Sequence, residues 1–201
     1  MAKTKAKPYH HGALRAALLA AADRLVRTRG GGAVTLREVA RKAGVSHAAP
    51  YHHFRSRDEL LAAVAAAGFD RLRVEIDTTL GGAPASPEAR WRAGAASYLR
   101  FALDNGNLYR IMFDDAGSGR SPALIAAARG AFEPLVAGAR ATTSEADAEE
   151  LARTAWALLH GIAILALAGR AGLPTDPASV VAWAEQAITR LTAADLASHR
   201  R

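Results

Sequence analysis

Residues 35–54, TLREVARKAGVSHAAPYHHF, decide how this chain is read. Thr35-Leu36-Arg37-Glu38 has the spacing of a capping box: the Thr35 hydroxyl accepts from the Glu38 backbone N–H, and the Glu38 carboxylate reaches back to the Thr35 N–H. Leu36, Val39, Ala40 and Ala43 then recur at helical spacing until Gly44, which suits the left-handed conformation of a sharp turn. Ser46 is placed to cap a further predicted helix over residues 47–54. Two short helices flanking Gly44-Val45-Ser46 are the pattern of a helix-turn-helix, which lays its second helix in the DNA major groove. Val39, Ala40, Val45 and Phe54 supply a small core, and His47, Ala48, Tyr51, His52 and His53 are left to meet DNA. Tyr51 is readable as a phosphate contact or as a core aromatic, and Phe54 reads as core. Pro50 falls at the fourth helical position, where it removes only the first helical bond and tilts the helix at most.

The flanks extend the same reading. Upstream, Leu14, Leu18, Ala21, Ala22 and Leu25 form one apolar helical face that stops at Gly30-Gly31-Gly32. Downstream, Ser56-Arg57-Asp58-Glu59 is a second capping box, opening a helix through Leu60, Leu61, Val64, Phe69 and Leu72 toward Leu80. Gly81 to Pro87 is the clearest break. Beyond it, Ser86-Pro87, Ser121-Pro122, Ser144 and Asp176-Pro177 each start a helix, with a short one around 108–114. The helix from 121 is expected to bend or stop at Pro134. About nine helices, no strand and no repeat define an all-α fold. It divides into an N-terminal domain over residues 1–80, with the motif at 35–54 and a linking helix at about 57–80, and a C-terminal domain over 81–201.

Composition supports this and narrows the function classes. Of 201 residues, 50 are alanine and 6% aromatic, which favours helix and disfavours an all-β fold. Cysteine is absent, so disulfides, thiol catalysis and thiolate zinc sites are excluded. The basic N-terminus has no apolar core behind it, and the charge-free stretch over 154–169 falls short of the ~20 residues of a membrane span. A cytoplasmic protein with no membrane partner is expected. The net charge of +7 is uneven: residues 1–73 hold 14 Lys and Arg against 5 Asp and Glu, so the positive excess lies wholly in that third. Such asymmetry points to a polyanion partner.

The strings LREVARKAGVS, YHHF and SRDELL, with YHHGALRAALLAAA at residues 9–22, resemble the TetR family of bacterial repressors over the whole N-terminal domain. That resemblance implies phosphate contacts from Tyr51 and His52, base contacts from His47, Ala48 and Ala49, and a hold on the DNA backbone by Thr35 and Arg57. Arg37, Lys42, Ser46 and His53 complete the expected DNA-facing set, and Lys3, Lys5, Lys7 and Tyr9 form a basic arm. The two alanines offer only methyls, suited to a thymine methyl.

Trp156, His160 and Gly161 in WALLHG, and Leu108 to Phe113, resemble the Trp-His-Gly class of C-terminal domains in this family, which implies an all-α sensor and dimerisation domain. A charge-free helix over 154–169 must be buried on more than one side, which suits a homodimer through the last two helices. Such a dimer reads a pseudo-palindromic double-stranded operator. Trp91, Tyr98, Phe101, Tyr109, Met112, Phe113, Trp156 and His160 are the candidate lining of a small-molecule effector pocket, each also readable as ordinary core. The expected function is a repressor released from its operator by a small apolar effector, the alternative an architectural DNA-binding protein without a ligand. No nucleophile elbow, P-loop or dinucleotide fingerprint is present. The pairs His10-His11 and His52-His53 lack a third ligand at metal spacing, and Asp114-Asp115 reads as a helix end. No metal, cofactor or enzymatic activity is therefore expected.

Overall fold

Caps and glycines set the helix boundaries in the computed structural model of the chain, which describes residues 11–113, 121–174 and 176–198. Lys3, Lys5, Lys7, Tyr9, His10, Asp114 and Asp115 lie outside the described residues. These comprise α1 His11–Arg29, α2 Leu36–Ala43, α3 Arg57–Gly81, α4 Pro87–Asp104, α5 Gly106–Phe113, α6 Pro122–Arg140, α7 Glu145–Leu167 and α8 Pro177–Ser198, with no strand among them. Two 3-10 segments, Gly31–Ala33 and Ala49–His52, complete the regular structure. The fold is all-α, as the sequence implied.

Local signals reappear as hydrogen bonds. The Thr35 hydroxyl accepts from the Glu38 N–H at 3.1 Å, Ser86 from Ala89 at 3.2 Å, Ser121 from Leu124 at 3.2 Å and Ser144 from Asp147 at 3.3 Å. The Asp176 carboxylate accepts from the Ser179 N–H at 2.8 Å, which holds its pKa below the ordinary carboxylate value. The two capping boxes close from one side only. Glu38 turns instead to the Arg41 guanidinium, 2.8 Å from Nε, and Glu59 accepts from the Arg55 backbone N–H at 2.8 Å. Helix α6 runs through Pro134 rather than stopping there.

The contacts divide the chain into two units. The first comprises described residues 11–67 with 107–113 and 121–125, the second 68–106 with 126–198. The boundary expected at residue 80 thus falls inside α3, and α5 belongs with the N-terminal helices. Asn107 Nδ2 donates to the Arg27 carbonyl at 3.2 Å, and a Cβ on Gly31 would stand 2.8 Å from Ile111 Cδ1. The core of the first unit is built on Leu18, Leu25, Val39, Phe54 and Leu60. In the second, α4, α7 and α8 pack on one another around Leu99, Phe101, Leu159 and Ile188.

Gly44 ends α2 at φ 70° and ψ 31°, with Val45 N–H bonded to the Ala40 carbonyl at 3.0 Å. This left-handed cap turns the chain toward the second half of the motif. Gly44→Ala forces a Cβ into that conformation and is expected to lower unfolding stability by about 1–2 kcal/mol in urea titration. An unchanged midpoint would show that the left-handed turn is not required.

Candidate nucleic-acid interface and effector cavity

The second half of the motif departs from the helix expected over 47–54. It is a turn followed by the 3-10 segment Ala49–His52. Its bonds run Ala49 N–H to Ser46 O at 3.0 Å, Tyr51 to Ala48 at 3.2 Å and His53 to Pro50 at 2.9 Å. An α-helix would draw the Ser46 carbonyl's bond from residue 50, and proline has no N–H to give. Ala49 therefore takes that carbonyl, and the segment winds to i−3 spacing. Ser46 is not its cap: that position is Ala48, whose side chain offers no acceptor.

Burial sorts the motif into an anchor and a surface. Pro50 and Phe54 point inward, with the Arg15 guanidinium 5.3 Å from the Phe54 ring centroid. His47, Ala48, Tyr51 and His52 are exposed, Ala49 and His53 half-buried. Tyr51 is 61% exposed, so the core reading of this ring falls away. Thr35, Arg37, Lys42 and Ser46 are also exposed.

Arg57 is half-buried and bonds back to the chain. Its Nε donates to the Val34 carbonyl and its Nη2 to the Gly31 carbonyl, each at 2.9 Å. These bonds tie the start of α3 to the residues before α2. Sequence reading also passed over Arg55, an exposed cation directly after the motif, whose signal was only its charge.

The second unit contains a cavity of about 440 Å³. Two of the candidate lining residues, Trp91 and Tyr98 of α4, border it, together with Ile76 and Leu80 of α3, Leu135 of α6 and Leu159 of α7. The α3 and α6 residues went unread, although Gly138 marks where α6 leaves space. The other candidates do not reach it. Phe101 is buried under the Arg71 guanidinium, 5.7 Å from its ring centroid. Tyr109 and Met112 are buried on α5 in the first unit, with the Phe113 ring 4.8 Å from Tyr109. Trp156 and His160 stack at 5.6 Å, with Phe132 edge-on to Trp156 at 6.5 Å.

Polar groups in the cavity wall are few. Arg90 Nη1 donates to the Leu80 carbonyl at 2.9 Å, and Asp77 pairs with Arg73 at 3.5 Å. The Trp91 indole N–H is buried with no hydrogen-bond partner among the described residues. A buried donor left so costs about 1–3 kcal/mol. No group of three or more His, Asp or Glu with metal-binding geometry occurs among the described residues.

On α7, Leu151, Ala155, Leu159 and Ile162 are buried, whereas Trp156, Ile164 and Leu165 face outward, as does Trp183 on α8. By length and composition alone α7 matches a membrane-crossing helix. The burial on more than one side expected of it is therefore not met within one chain.

A helix-turn-helix unit in a chain whose other unit is a helical bundle with an apolar cavity defines a helical DNA-binding regulator. Residues 18–64 match the family described as bacterial regulatory proteins, tetR family, and residues 91–191 match the tetracyclin repressor-like C-terminal domain. Over 173 residues the chain is 32% identical to the HTH-type transcriptional regulator BetI of Rhizobium meliloti, covering 84% of this chain and 82% of that protein. Among solved structures, a protein of unknown function from Rhodococcus sp. RHA1 is 35% identical with a TM-score of 0.76, covering 92% of this chain and 98% of that one. A tetR-family regulatory protein from Rhodococcus RHA1, 20% identical with a TM-score of 0.67 over 89% of this chain and 96% of that one, shares the fold. The chain belongs to the tetR family of bacterial transcriptional regulators.

Burial holds the His160 pKa below its ordinary value. The unfolded chain thus takes up a proton first as pH falls. The stability due to neutral His160 is complete above about pH 6.5 and is lost as pH drops toward the lower folded pKa. The melting temperature is expected to fall between about pH 7.5 and 5.5, and to fall less in His160→Phe. Identical pH profiles would show that His160 does not contribute.

Proposed function

We propose that the chain is a homodimeric repressor that binds a pseudo-palindromic operator through the exposed face of residues 47–53 and is released when a small, mainly apolar molecule fills the cavity. The exposed Tyr51 and His52, set on the anchor of Pro50 and Phe54, carry this reading. Tyr51, His52 and the Thr35 hydroxyl contact phosphates, as do Arg37, Lys42 and Ser46. His47, Ala48, Ala49 and His53 face base edges. Phosphate contacts fix affinity and register, and base contacts fix sequence preference. Arg57 contributes indirectly, by holding the start of α3.

The outward rings Trp156 and Trp183, with Ile164 and Leu165, favour a second copy of the chain against α7 and α8. A two-fold dimer of this kind presents its two reading segments about one DNA turn, ~34 Å, apart. Effector binding shifts the chain to a state that fails to match this spacing, and affinity for DNA falls by the effector's preference for that state. The protein acts on DNA in the cytoplasm and does so without catalysis or a cofactor.

Fluorescence anisotropy on DNA from upstream of its own gene, against scrambled DNA and across salt, tests this. A preference of about a thousandfold or more is expected. Equal, steeply salt-dependent binding to both would favour an architectural role. Tyr51→Phe is expected to weaken binding to every sequence by about the same several-fold factor, and His47→Ala to relax sequence preference. Trp183→Asp is expected to yield monomers in sedimentation and to lose operator affinity. A Trp183→Asp protein that stays dimeric would move the interface elsewhere.

A further inference from the structure

Resting on residues 47–53 as the DNA-facing surface, we infer that Ala48 sets sequence preference by packing its methyl group on the C5-methyl group of a thymine in the major groove. The winding of the segment places this side chain. Ala48 has φ −80° and ψ −25°, and its carbonyl accepts from the Tyr51 N–H at 3.2 Å. At three residues per turn, side chains three apart lie one above the other. Ala48 therefore shares the outward side with Tyr51, both exposed, while Pro50 between them is buried. Ala49 is half-buried. The short side chain of Ala48 thus stands on the same surface as the ring assigned to DNA.

The composition of the segment makes that methyl group decisive. Residues 45–54 contain no Arg, Lys, Asn, Gln, Asp or Glu. Paired hydrogen bonds to guanine take Arg or Lys, those to adenine take Asn or Gln, and the cytosine amino group is matched by a carboxylate. The segment offers none of these. The imidazoles of His47, His52 and His53 and the hydroxyls of Ser46 and Tyr51 are its side-chain hydrogen-bonding groups. A ring N–H meets N7 of either purine, and a hydroxyl both donates and accepts, so single bonds from these groups discriminate weakly. The C5-methyl group is the major-groove feature that marks thymine without a hydrogen bond, and alanine is among the side chains that pack on it. An exposed protein methyl group gains by covering it, because both then leave water.

The experiment selects preferred duplexes from a random, unmethylated DNA pool on the full chain and measures their affinity by anisotropy at one fixed salt concentration. Each thymine of the selected half-site is then replaced in turn by deoxyuridine, which lacks only the methyl group. At one thymine in each half-site the replacement is expected to weaken binding about fourfold, the worth of one buried methyl group. At that position a 5-methylcytosine·guanine pair is expected to bind about fourfold more tightly than cytosine·guanine, and thymine·adenine most tightly of all. Ala48→Gly, checked for folding by circular dichroism, binds thymine and uracil alike there, whereas Ala49→Gly keeps the difference. Comparing the ratio in each protein separates this contact from any general loss of affinity on loosening the turn. The inference is overturned if no selected thymine responds to deoxyuridine, if the response survives Ala48→Gly, or if 5-methylcytosine binds more tightly than thymine. A selected sequence indifferent to the methyl group sinks this inference and leaves the operator reading standing. A pool that yields no preferred sequence sinks the operator reading, and this inference with it.

Discussion

Two hydrogen bonds from one guanidinium hold together the loop that enters the helix-turn-helix and the helix that leaves it. Arg57 is the first residue of α3, a place where a cation opposes the helix dipole. Asp58 and Glu59 beside it offset that penalty, and the side chain reaches back to the Gly31 and Val34 carbonyls. Those carbonyls belong to the 3-10 turn Gly31–Ala33 and the extended residue after it, a stretch the glycines at 30–32 release from the end of α1. Arg57 thus joins the segment before α2 to the segment after the reading turn. The orientation of α2, and through it of the surface from His47 to His52, depends on this closure.

Within that frame the sequence was most legible where causes are local. Thr35, Gly44, Ser86 and Ser144 act through partners three to five residues away, and each does what its chemistry suggests. Legibility failed where one local rule competed with another. Ser46 reads as a helix cap, yet Pro50 removes the N–H that the Ser46 carbonyl needs, and the proline decides the winding. Glu38 satisfies the spacing of a capping box, yet Arg41 is nearer and charged. That pair also holds the Glu38 carboxyl below its ordinary pKa and raises that of Arg41.

The cavity depended on causes that lie further apart. Gly130, Pro134 and Gly138 share one face of α6 at four-residue spacing. A Cβ on Gly130 would sit 3.4 Å from Arg73 Nη1, and one on Gly138 3.7 Å from Trp91. Pro134 and Gly138 of this small-residue face line the cavity, and α6 runs on through the proline despite its helix-breaking tendency, worth ~3 kcal/mol in an exposed helix. Read alone, the proline ends the helix; read with Gly138, it belongs to the cavity wall. Aromatic content was the wrong guide to the lining, because large rings fill cores as readily as they border cavities. Phe101 and Tyr109 are core, whereas Trp91 and Tyr98 line the cavity.

The outer face of α7 follows the same logic. A helix apolar all round needs two buried sides, and one chain supplies the stripe of Leu151, Ala155, Leu159 and Ile162. What stays outside is uneven. Trp156 projects, while Ala157 and Gly161 beside it are small, and a Cβ on Gly161 would meet nothing within 4 Å. In the proposed dimer a two-fold axis places the same patch on both partners, so each must carry both the projection and the recess. A uniformly bulky face would hold two such helices apart, and a uniformly small one would bury too little area. The alternation of Trp156 with Ala157 and Gly161 gives one surface the means to fit a copy of itself.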